Sequence, residues 1–376
     1  APRRAPGTSP APRQPSSSRT PALLRRLPRL RRRPGNGSDP LGERARRAAH
    51  DTPLLTDDLA LVDAELVPAF RTSDELALAA QNRWARRELG LLVLSAMLVV
   101  ATSIQAAVAN EAWPGVLVAA LGGVSSVLSN AAKSADARGV FLRHRQEAER
   151  LRSLVWTSLS VGATAPVLRR ERALERQVAM IRLETAEGSS QGPQTQSRPD
   201  PELASDGSTL LGRSSPDPRS EQLLTLYRHG RLEAQRDWYL ARQQEFELAE
   251  RQGTRLRTGL LVVATILGAL GPAVEPEIRP WLGVAATAAT AVSAVITGWM
   301  RLQAFDVRAH LYELTAARLS VADTERPVVP EPLAVQTHIS RCEDVVLAEH
   351  GLWSEQTPRA AREVPIAPSP ALHKPD

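Results

Sequence analysis

The feature that most constrains this chain is a run of 21 residues, Pro280–Met300, that contains no formally charged side chain. An α-helix rises about 1.5 Å per residue, so about 20 apolar residues cross the roughly 30 Å hydrocarbon layer of a bilayer. Three further charge-free runs are comparable, namely Leu89–Asn110, Ala112–Ala132 and Thr258–Val274. The competing interpretation is a soluble bundle with four buried helices, because runs rich in Ala and Gly are only moderately hydrophobic. Since 23% of all residues are charged, four such runs favour membrane spans.

Basic residues precede the first run and follow the second run of each pair, whereas the segment that joins the two runs, the hairpin tip, carries acidic residues. The flanking residues are Arg83, Arg86, Arg87 and Lys133 for the first pair, and Arg251, Arg255, Arg257 and Arg301 for the second. The positive-inside rule then predicts two hairpins that enter from and return to the cytoplasm, with both termini inside. Trp113 and Trp281, near the two tips, suit the outer interface. Only two of the 47 basic residues are Lys, which is typical of a GC-rich bacterial gene, so we expect the bacterial plasma membrane.

The two hairpins resemble each other and indicate a duplication. Trp113-Pro-Gly-Val aligns with Trp281-Leu-Gly-Val at an offset of 168 residues. The same offset superposes two ridges of small residues that would let helix backbones approach closely in lipid. These helix-packing candidates are Gly115, Ala119, Gly123, Gly283, Thr287 and Ala291. The alternative is that Ala-rich helices resemble one another without a duplication.

Apolar heptad stripes follow each hairpin and predict long amphipathic helices that continue the second span of each pair into the cytoplasm. The stripes are Ala137, Phe141, His144, Ala148, Leu151 and Val155 in the first half, and Leu302, Phe305, Ala309, Tyr312, Ala316 and Leu319 in the second. The predicted partner is a helix over residues 221–257, which would run straight into the third span, with Gly230 as a candidate break. A last helix is predicted near His338–Gln356. The predicted fold class is therefore all-α and integral to the membrane.

Composition divides the chain into two helical domains with unstructured segments around them. Residues 1–50 and 188–220 are rich in Pro, Ser, Gly and Arg, which predicts disorder. The predicted organisation is a tail at 1–50, a two-span domain at 51–187, a linker at 188–220, a second two-span domain at 221–357 and a tail at 358–376. The basic run Arg25–Arg33 could contact nucleic acid, but attraction to an anionic membrane surface explains the same charge and is favoured.

The sequence contains no motif for catalysis, for cofactor binding or for a metal centre. A phosphate-binding glycine loop, HExxH, paired CxxC and a nucleophile elbow are all missing. His338 and Cys342 stand four residues apart, but two ligands without further partners are weak evidence for a metal site. We therefore expect a protein that is not an enzyme and that needs no cofactor.

Small polar residues within the charge-free runs are the candidates for lining a water-filled path. They are Thr102, Gln105, Ser126, Ser129, Asn130, Thr287 and Thr290. The alternative is that each hydroxyl bonds to a backbone carbonyl of its own helix. None of the four runs contains Asp, Glu, Lys, Arg or His, which disfavours an ion-coupled transporter.

Several local motifs resemble SLATT domains, the SMODS- and SLOG-associated two-transmembrane effectors of bacteria. The segment RLEAQRDWYLARQQ, with Gln235, Trp238 and Tyr239, resembles their entry helix, and the spacing from Glu349 to Trp353 resembles their closing motif. The first half, with ERLRSLVW at Glu149–Trp156, is similar to the SLATT subtype that precedes this one in tandem proteins. It departs from that pattern at Thr157-Ser158, where a polar aromatic residue is expected.

The resemblance implies a membrane effector of a bacterial conflict or anti-phage system. Such an effector would oligomerise into a pore, or disrupt the membrane otherwise, on a cytoplasmic signal linked to nucleotides. The implied partners are the lipid bilayer, further copies of the chain and a cytoplasmic signalling protein or nucleotide-signal system. Two other functions stay open: a non-conducting membrane-anchored scaffold that recruits partners, and, less favoured, a small-solute transporter.

Overall fold

The computed structural model describes residues 21–25, 27–28, 39–108, 111–134, 137–161, 166–186 and 217–362. Of residues 131–134, 137 and 350–362 it describes the backbone alone. The described residues contain helices and no β-strand, which confirms the all-α prediction. The helices are α1 (Ala22–Arg25), α2 (Gly42–Ala49), α3 (Thr56–Ala107), α4 (Trp113–Ser134), α5 (Ala137–Ser160), α6 (Val167–Ala186), α7 (Pro218–Tyr227), α8 (Glu233–Leu270), α9 (Arg279–Gln303), α10 (Phe305–Thr324) and α11 (Pro332–Arg362).

Four of these helices, α3, α4, α8 and α9, are long and apolar enough to cross a membrane. No more than 11% of any of their apolar windows is buried inside the chain. A soluble bundle would bury such surfaces, because exposed apolar area is costly in water. The chain is therefore a multi-pass membrane protein with four spans arranged as two hairpins, as predicted.

The two entry helices run without interruption from the extramembrane part into the spans. Helix α3 has 52 residues and includes Pro68, and α8 has 38 residues. The predicted break at Gly230 is a π-helical segment, Arg228–Leu232, that joins α7 to α8. As predicted, the chain stays helical from this segment into the third span, so the entry helices are stiff connections between the two parts of the molecule.

The predicted continuation from the fourth span into one cytoplasmic helix is wrong at Ala304. This residue adopts a left-handed conformation (φ 46°, ψ 54°), which ends α9 at Gln303 and starts α10 at Phe305. A left-handed conformation costs an alanine about 1–2 kcal/mol. The turn places the Phe305 ring in a fully buried site 5.6 Å from the Phe246 ring of α8. Burial of a phenylalanine stabilises by about 1.5–3 kcal/mol, enough to offset the backbone conformation.

Both halves of the chain share one core outside the membrane, here called the extramembrane bundle. Its largest hydrophobic cluster includes Leu66 of α3, Trp156 of α5, Tyr227 of α7 and Ile339 of α11. The Trp156 and Tyr227 rings pack edge to face with centroids 5.3 Å apart. Since each half supplies residues that bury those of the other, the halves at 51–187 and 221–357 share their largest core.

Part of the predicted N-terminal tail is folded instead of disordered. Residues 42–49 form α2, in which Ala45 is buried against the π-helical segment at Gly230. Arg46 forms ion pairs with Asp39 and with Asp63 of α3. The basic, proline-rich composition predicted disorder because the segment alone buries too little apolar surface. Contacts with other helices supply the missing burial.

Three other boundaries differ from the predictions. Helix α7 starts at Pro218, inside the predicted linker, because the Asp217 side chain accepts from the backbone N–H groups of Arg219 and Ser220 and caps the helix. Helix α11 starts at Pro332, six residues before the predicted start at His338. The same helix ends at Arg362, so residues 358–362 of the predicted tail at 358–376 are helical. Linker residues 188–216 lie outside the described residues, as do residues 1–20, 26, 29–38 and 363–376 of the two predicted tails.

Candidate functional site

Most residues of the predicted apolar stripes are buried, whereas His144, Leu302 and Tyr312 are half-buried and the side chain of Ala137 lies outside the described residues. Charged residues beside the stripes form a buried network in the extramembrane bundle. At its centre Arg231, in the π-helical segment, donates from Nε and Nη2 to the two carboxylate oxygens of Glu343 in α11, each at 2.9 Å. Tyr227 Oη donates to the same carboxylate at 3.0 Å. Arg231 is 5% exposed and Glu343 is fully buried. A bidentate pair in this setting is held by geometry, since both charges have left water.

A second group of charges belongs to the first half of the chain; its carboxylates, Glu149 and Asp74, are buried, and its arginines, Arg145 and Arg152, are partly exposed. Glu149 of α5 pairs with Arg145 at 2.5 Å and with Arg152 at 3.0 Å. Arg145 also lies 3.4 Å from Asp74 of α3, and the Arg152 guanidinium lies 4.8 Å from the centre of the Phe70 ring. These contacts tie α5 to α3, the helix that continues into the first span.

The electrostatics couple the two groups of charges. Burial lowers the pKa of Arg231, but Glu343 and then Glu149 raise it, so that it lies above its ordinary value. Burial also lowers the pKa of Arg145, and Glu149 and Asp74 outweigh that effect. The pKa of Arg152 is lowered, mainly by burial, with Arg231 and Arg145 adding repulsion. Removing one carboxylate would therefore leave like charges facing each other across the two halves.

An aromatic cluster continues the network toward the membrane. Tyr239 of α8 donates from Oη to Glu349 of α11 at 3.4 Å, and burial followed by Glu349 raises the pKa of Tyr239 well above its usual value. The Tyr239 ring contacts Tyr312, which packs against Phe246 with ring centroids 5.5 Å apart. Phe246 and Phe305 then join a cluster that contains Trp299 and Met300 at the end of α9.

The predicted signature residues lie in or beside this network. Gln235 accepts from Arg231 Nη1 at 3.3 Å, and Tyr239 and Glu349 bond to each other. Trp238 is 40% exposed and packs edge-on against Tyr239 and Tyr312. The side chain of Trp353 lies outside the described residues. Sequence reasoning missed Arg231 and Glu343, which look like ordinary surface charges of amphipathic helices.

Two close helix contacts, one between the hairpins and one within the second hairpin, were also missed by the sequence analysis. A Cβ atom at Gly298 of α9 would lie 2.6 Å from Leu92 Cδ2 of α3, and one at Gly253 of α8 would lie 2.5 Å from Met300 Sδ. Gly298 follows Ala291 by seven residues and shares its helix face, so the same periodicity could have found it. Small residues here let the spans meet closely.

The predicted helix-packing residues divide between contacting and open positions. Ala291 is buried, and Thr287 Oγ1 lies 3.3 Å from Ser103 Oγ of α3. A Cβ atom at Gly115 would lie 3.4 Å from Gln105 Nε2. Ala119, Gly123 and Gly283 are exposed, and nothing lies within 4 Å of a Cβ atom at either glycine. Within one chain, these three positions pack against no neighbouring span.

The predicted pore-lining residues lie mostly on the outside of the single chain. Thr102, Gln105, Ser126, Asn130 and Thr290 are exposed, and Ser129 and Thr287 are half-buried. The threonine hydroxyls donate to carbonyls of their own helices: Thr102 to Val99, Thr287 to Gly283 and Thr290 to Ala286, at 2.8–2.9 Å. In a single chain, these three hydroxyls therefore bond to the backbone of their own helices, which was the alternative to lining a water-filled path.

His338 and Cys342 contact each other inside the bundle. Cys342 Sγ lies 3.8 Å from His338 Nε2. Burial, followed by Glu343, raises the pKa of the Cys342 thiol to about 12, and burial lowers the pKa of His338. In the described part of the chain no group of three or more His, Cys, Asp or Glu residues could hold a metal ion.

Fold and site together define an all-α multi-pass membrane protein with two membrane hairpins above a helical bundle. Residues 227–353 match the family model of the SMODS and SLOG-associating 2TM effector domain 1, SLATT_1. This part of the chain is therefore a SLATT domain, as the resemblance predicted. The match begins at Tyr227 and so includes both Arg231 and Glu343 of the network. Neither the curated proteins nor the solved structures contain a match to the chain.

Proposed function

We propose that this protein is a membrane effector of a bacterial conflict or anti-phage system, which conducts ions or disrupts the membrane after a cytoplasmic signal repacks the extramembrane bundle. The SLATT domain supplies the effector class. The observation that carries the proposal is the buried charge network, because Glu149 in α5 of the first half acts electrostatically on Arg231 of the SLATT domain, next to the start of the helix that runs on into the third span. The first half would be a second, divergent SLATT domain.

Helix α8 provides the mechanical link between the network and the membrane. It starts at Glu233, two residues after Arg231, and remains helical to Leu270, so displacement at its base moves its span. Buried charges favour two discrete states over a graded one, because a partly opened network leaves charges neither paired nor hydrated. A signalling protein or nucleotide-signal partner that binds the open state would shift the population toward it.

Conduction would require several copies of the chain. Four spans are too few to surround a water-filled path, and most of the polar candidates face outward from one chain. In a homo-oligomer the exposed faces of Gly123, Gly283, Gln105 and Ser126 would meet neighbouring copies. We place this oligomer in the bacterial plasma membrane, with both termini in the cytoplasm and without catalytic activity or a bound cofactor.

The direct test is inducible expression in a bacterium with a membrane-potential dye, followed by dye release from liposomes that contain the purified protein. We expect the cells to depolarise when a nucleotide-signal system encoded beside the protein is active. We expect liposomes with Glu343→Gln to leak more than those with the wild type, because this substitution opens the network. Glu325→Gln is the matched control, since Glu325 pairs with Arg341 at the surface. Circular dichroism and gel filtration establish that each variant is folded.

The alternatives predict different results in the same assays. A folded oligomer that never depolarises cells or releases dye, with or without the signalling system, would favour the non-conducting scaffold. Flux of one solute that saturates with its concentration would favour the transporter. Release of dyes of several sizes by the wild type after stimulation fits neither alternative.

A further inference from the structure

A groove between α8 and α9 lies where these helices leave the membrane. Arg257 of α8 and Arg301 of α9 line its polar end, and Leu261, Ser293, Ala294 and Gly298 line the part that extends into the apolar region. Arg257 directly precedes the charge-free residues 258–274, and Arg301 directly follows Pro280–Met300. Both guanidinium groups therefore lie at the boundary of the hydrocarbon layer, where phospholipid phosphates are found.

The positive charge of the groove is not balanced by the chain itself. In the described residues neither Arg257 nor Arg301 has a carboxylate oxygen within ion-pair distance, and Arg257 Nε is buried without a hydrogen-bond acceptor. Glu250, which precedes Arg257 on α8, interacts electrostatically with Arg257 but forms no ion pair with it, and its carboxylate accepts a hydrogen bond from Thr254 at 3.4 Å. A buried guanidinium N–H needs an acceptor, because losing its water without replacement is costly.

We propose that this groove binds one anionic phospholipid, whose phosphate accepts hydrogen bonds from Arg257 and Arg301. A forked guanidinium matches phosphate oxygens, and two of them outweigh the single negative charge of a phosphatidylglycerol headgroup. One acyl chain then lies along Leu261 and Ala294, which continue the groove into the hydrocarbon layer. The lipid would contact α9 at Gly298, on the helix that also meets α3 at Leu92.

Titration of the full chain in neutral detergent with dioleoylphosphatidylglycerol tests this site, with bound lipid counted by native mass spectrometry. We expect Arg257→Gln and Arg301→Gln each to weaken binding about tenfold, because each removes a charge-assisted hydrogen bond. Arg255→Gln is the matched control, since Arg255 is exposed on another face of α8 and does not line the groove. It should keep the wild-type affinity within about twofold.

Three results would overturn the site. Equal weakening by Arg255→Gln would mean nonspecific attraction to basic residues. Competition by inorganic phosphate at the same concentration would mean a free-anion site instead of a lipid site. Equal binding of dioleoylphosphatidylcholine would remove the requirement for an anionic headgroup. Circular dichroism identifies misfolded variants, which are left out of the comparison. Arg301→Lys retains the charge and should bind the lipid more tightly than Arg301→Gln. This readout does not depend on conduction.

Discussion

Arg231 and Glu343 are separated by 112 residues in the chain, yet the guanidinium and carboxylate meet through two parallel hydrogen bonds of 2.9 Å in the buried interior of the bundle. The π-helical segment brings Arg231 inward, and Tyr227 Oη donates a further hydrogen bond to the same carboxylate. Because π-helical turns are rare and recur at functional sites, this pair is the natural place to test how the bundle is held together.

The Arg231–Glu343 pair predicts a large effect for removal of one partner. Glu343→Gln should lower the free energy of unfolding by about 3–5 kcal/mol, because it leaves the Arg231 charge buried and unpaired. Glu325→Gln, at an exposed ion pair, should cost less than about 1 kcal/mol. The double variant Arg231→Met/Glu343→Leu should recover much of the loss. Denaturant unfolding in detergent measures all three, and equal costs for Glu343→Gln and Glu325→Gln would contradict this account.

Close packing at Gly230 predicts that α2 depends on this glycine. A Cβ atom there would lie 2.5 Å from Ala45 Cβ and 2.7 Å from Ala45 Cα, so α2 must move. Gly230→Ala should cost about 1–3 kcal/mol and expose α2 to limited proteolysis. In Gly259→Ala the added methyl group meets nothing within 4 Å, so no loss is expected. Resistance of α2 to protease in Gly230→Ala would show that the contact is unimportant.

The left-handed residue Ala304 predicts opposite effects for two substitutions. Ala304→Gly should raise stability by about 1 kcal/mol, because glycine adopts a positive φ without the steric cost of a Cβ atom. Ala304→Val should lower stability by a similar or larger amount, since β-branched residues disfavour this conformation. Thermal unfolding in detergent gives the order Gly, Ala, Val. The reverse order would indicate a straight helix through residue 304.

The buried thiol predicts slow alkylation and a loss of stability at alkaline pH. Because folding raises the Cys342 pKa from 9.0 to about 12, the folded chain has little thiolate at pH 9, and iodoacetamide should react mainly after unfolding. The folded state holds this proton longer than the unfolded state, so its contribution to stability is present below pH 9 and is lost between pH 9 and about 12. Cys342→Val should remove that part of the pH dependence. Alkylation of the native chain at the rate of a model thiol would contradict the burial.

The polar network and the shared core could not be predicted from the sequence. Arg231, Glu343 and Glu149 stand among many other charges on amphipathic helices, and nothing local distinguishes a buried charge from a solvated one. The stripe residues Phe141, Ala148, Leu151 and Val155 were predicted and are buried, but the stripe did not indicate which helices would cover it. The inward packing of α2 also depends on Asp63 of the following helix and on Gly230, which is far away in the chain.

The sequence by itself determined the four spans, the helix that leads into the third span and the SLATT domain. These are local properties, because the thickness of the hydrocarbon layer sets the length of a charge-free run and helical periodicity sets its apolar face. Only the tertiary structure decided the Arg231–Glu343 pair, the break at Ala304 and the meeting of Gly298 with Leu92. The first and third are contacts between segments far apart in the chain, and the break at Ala304 is stabilised by such a contact, that of Phe305 with Phe246. Their free energy depends on which groups leave water together and not on any one segment.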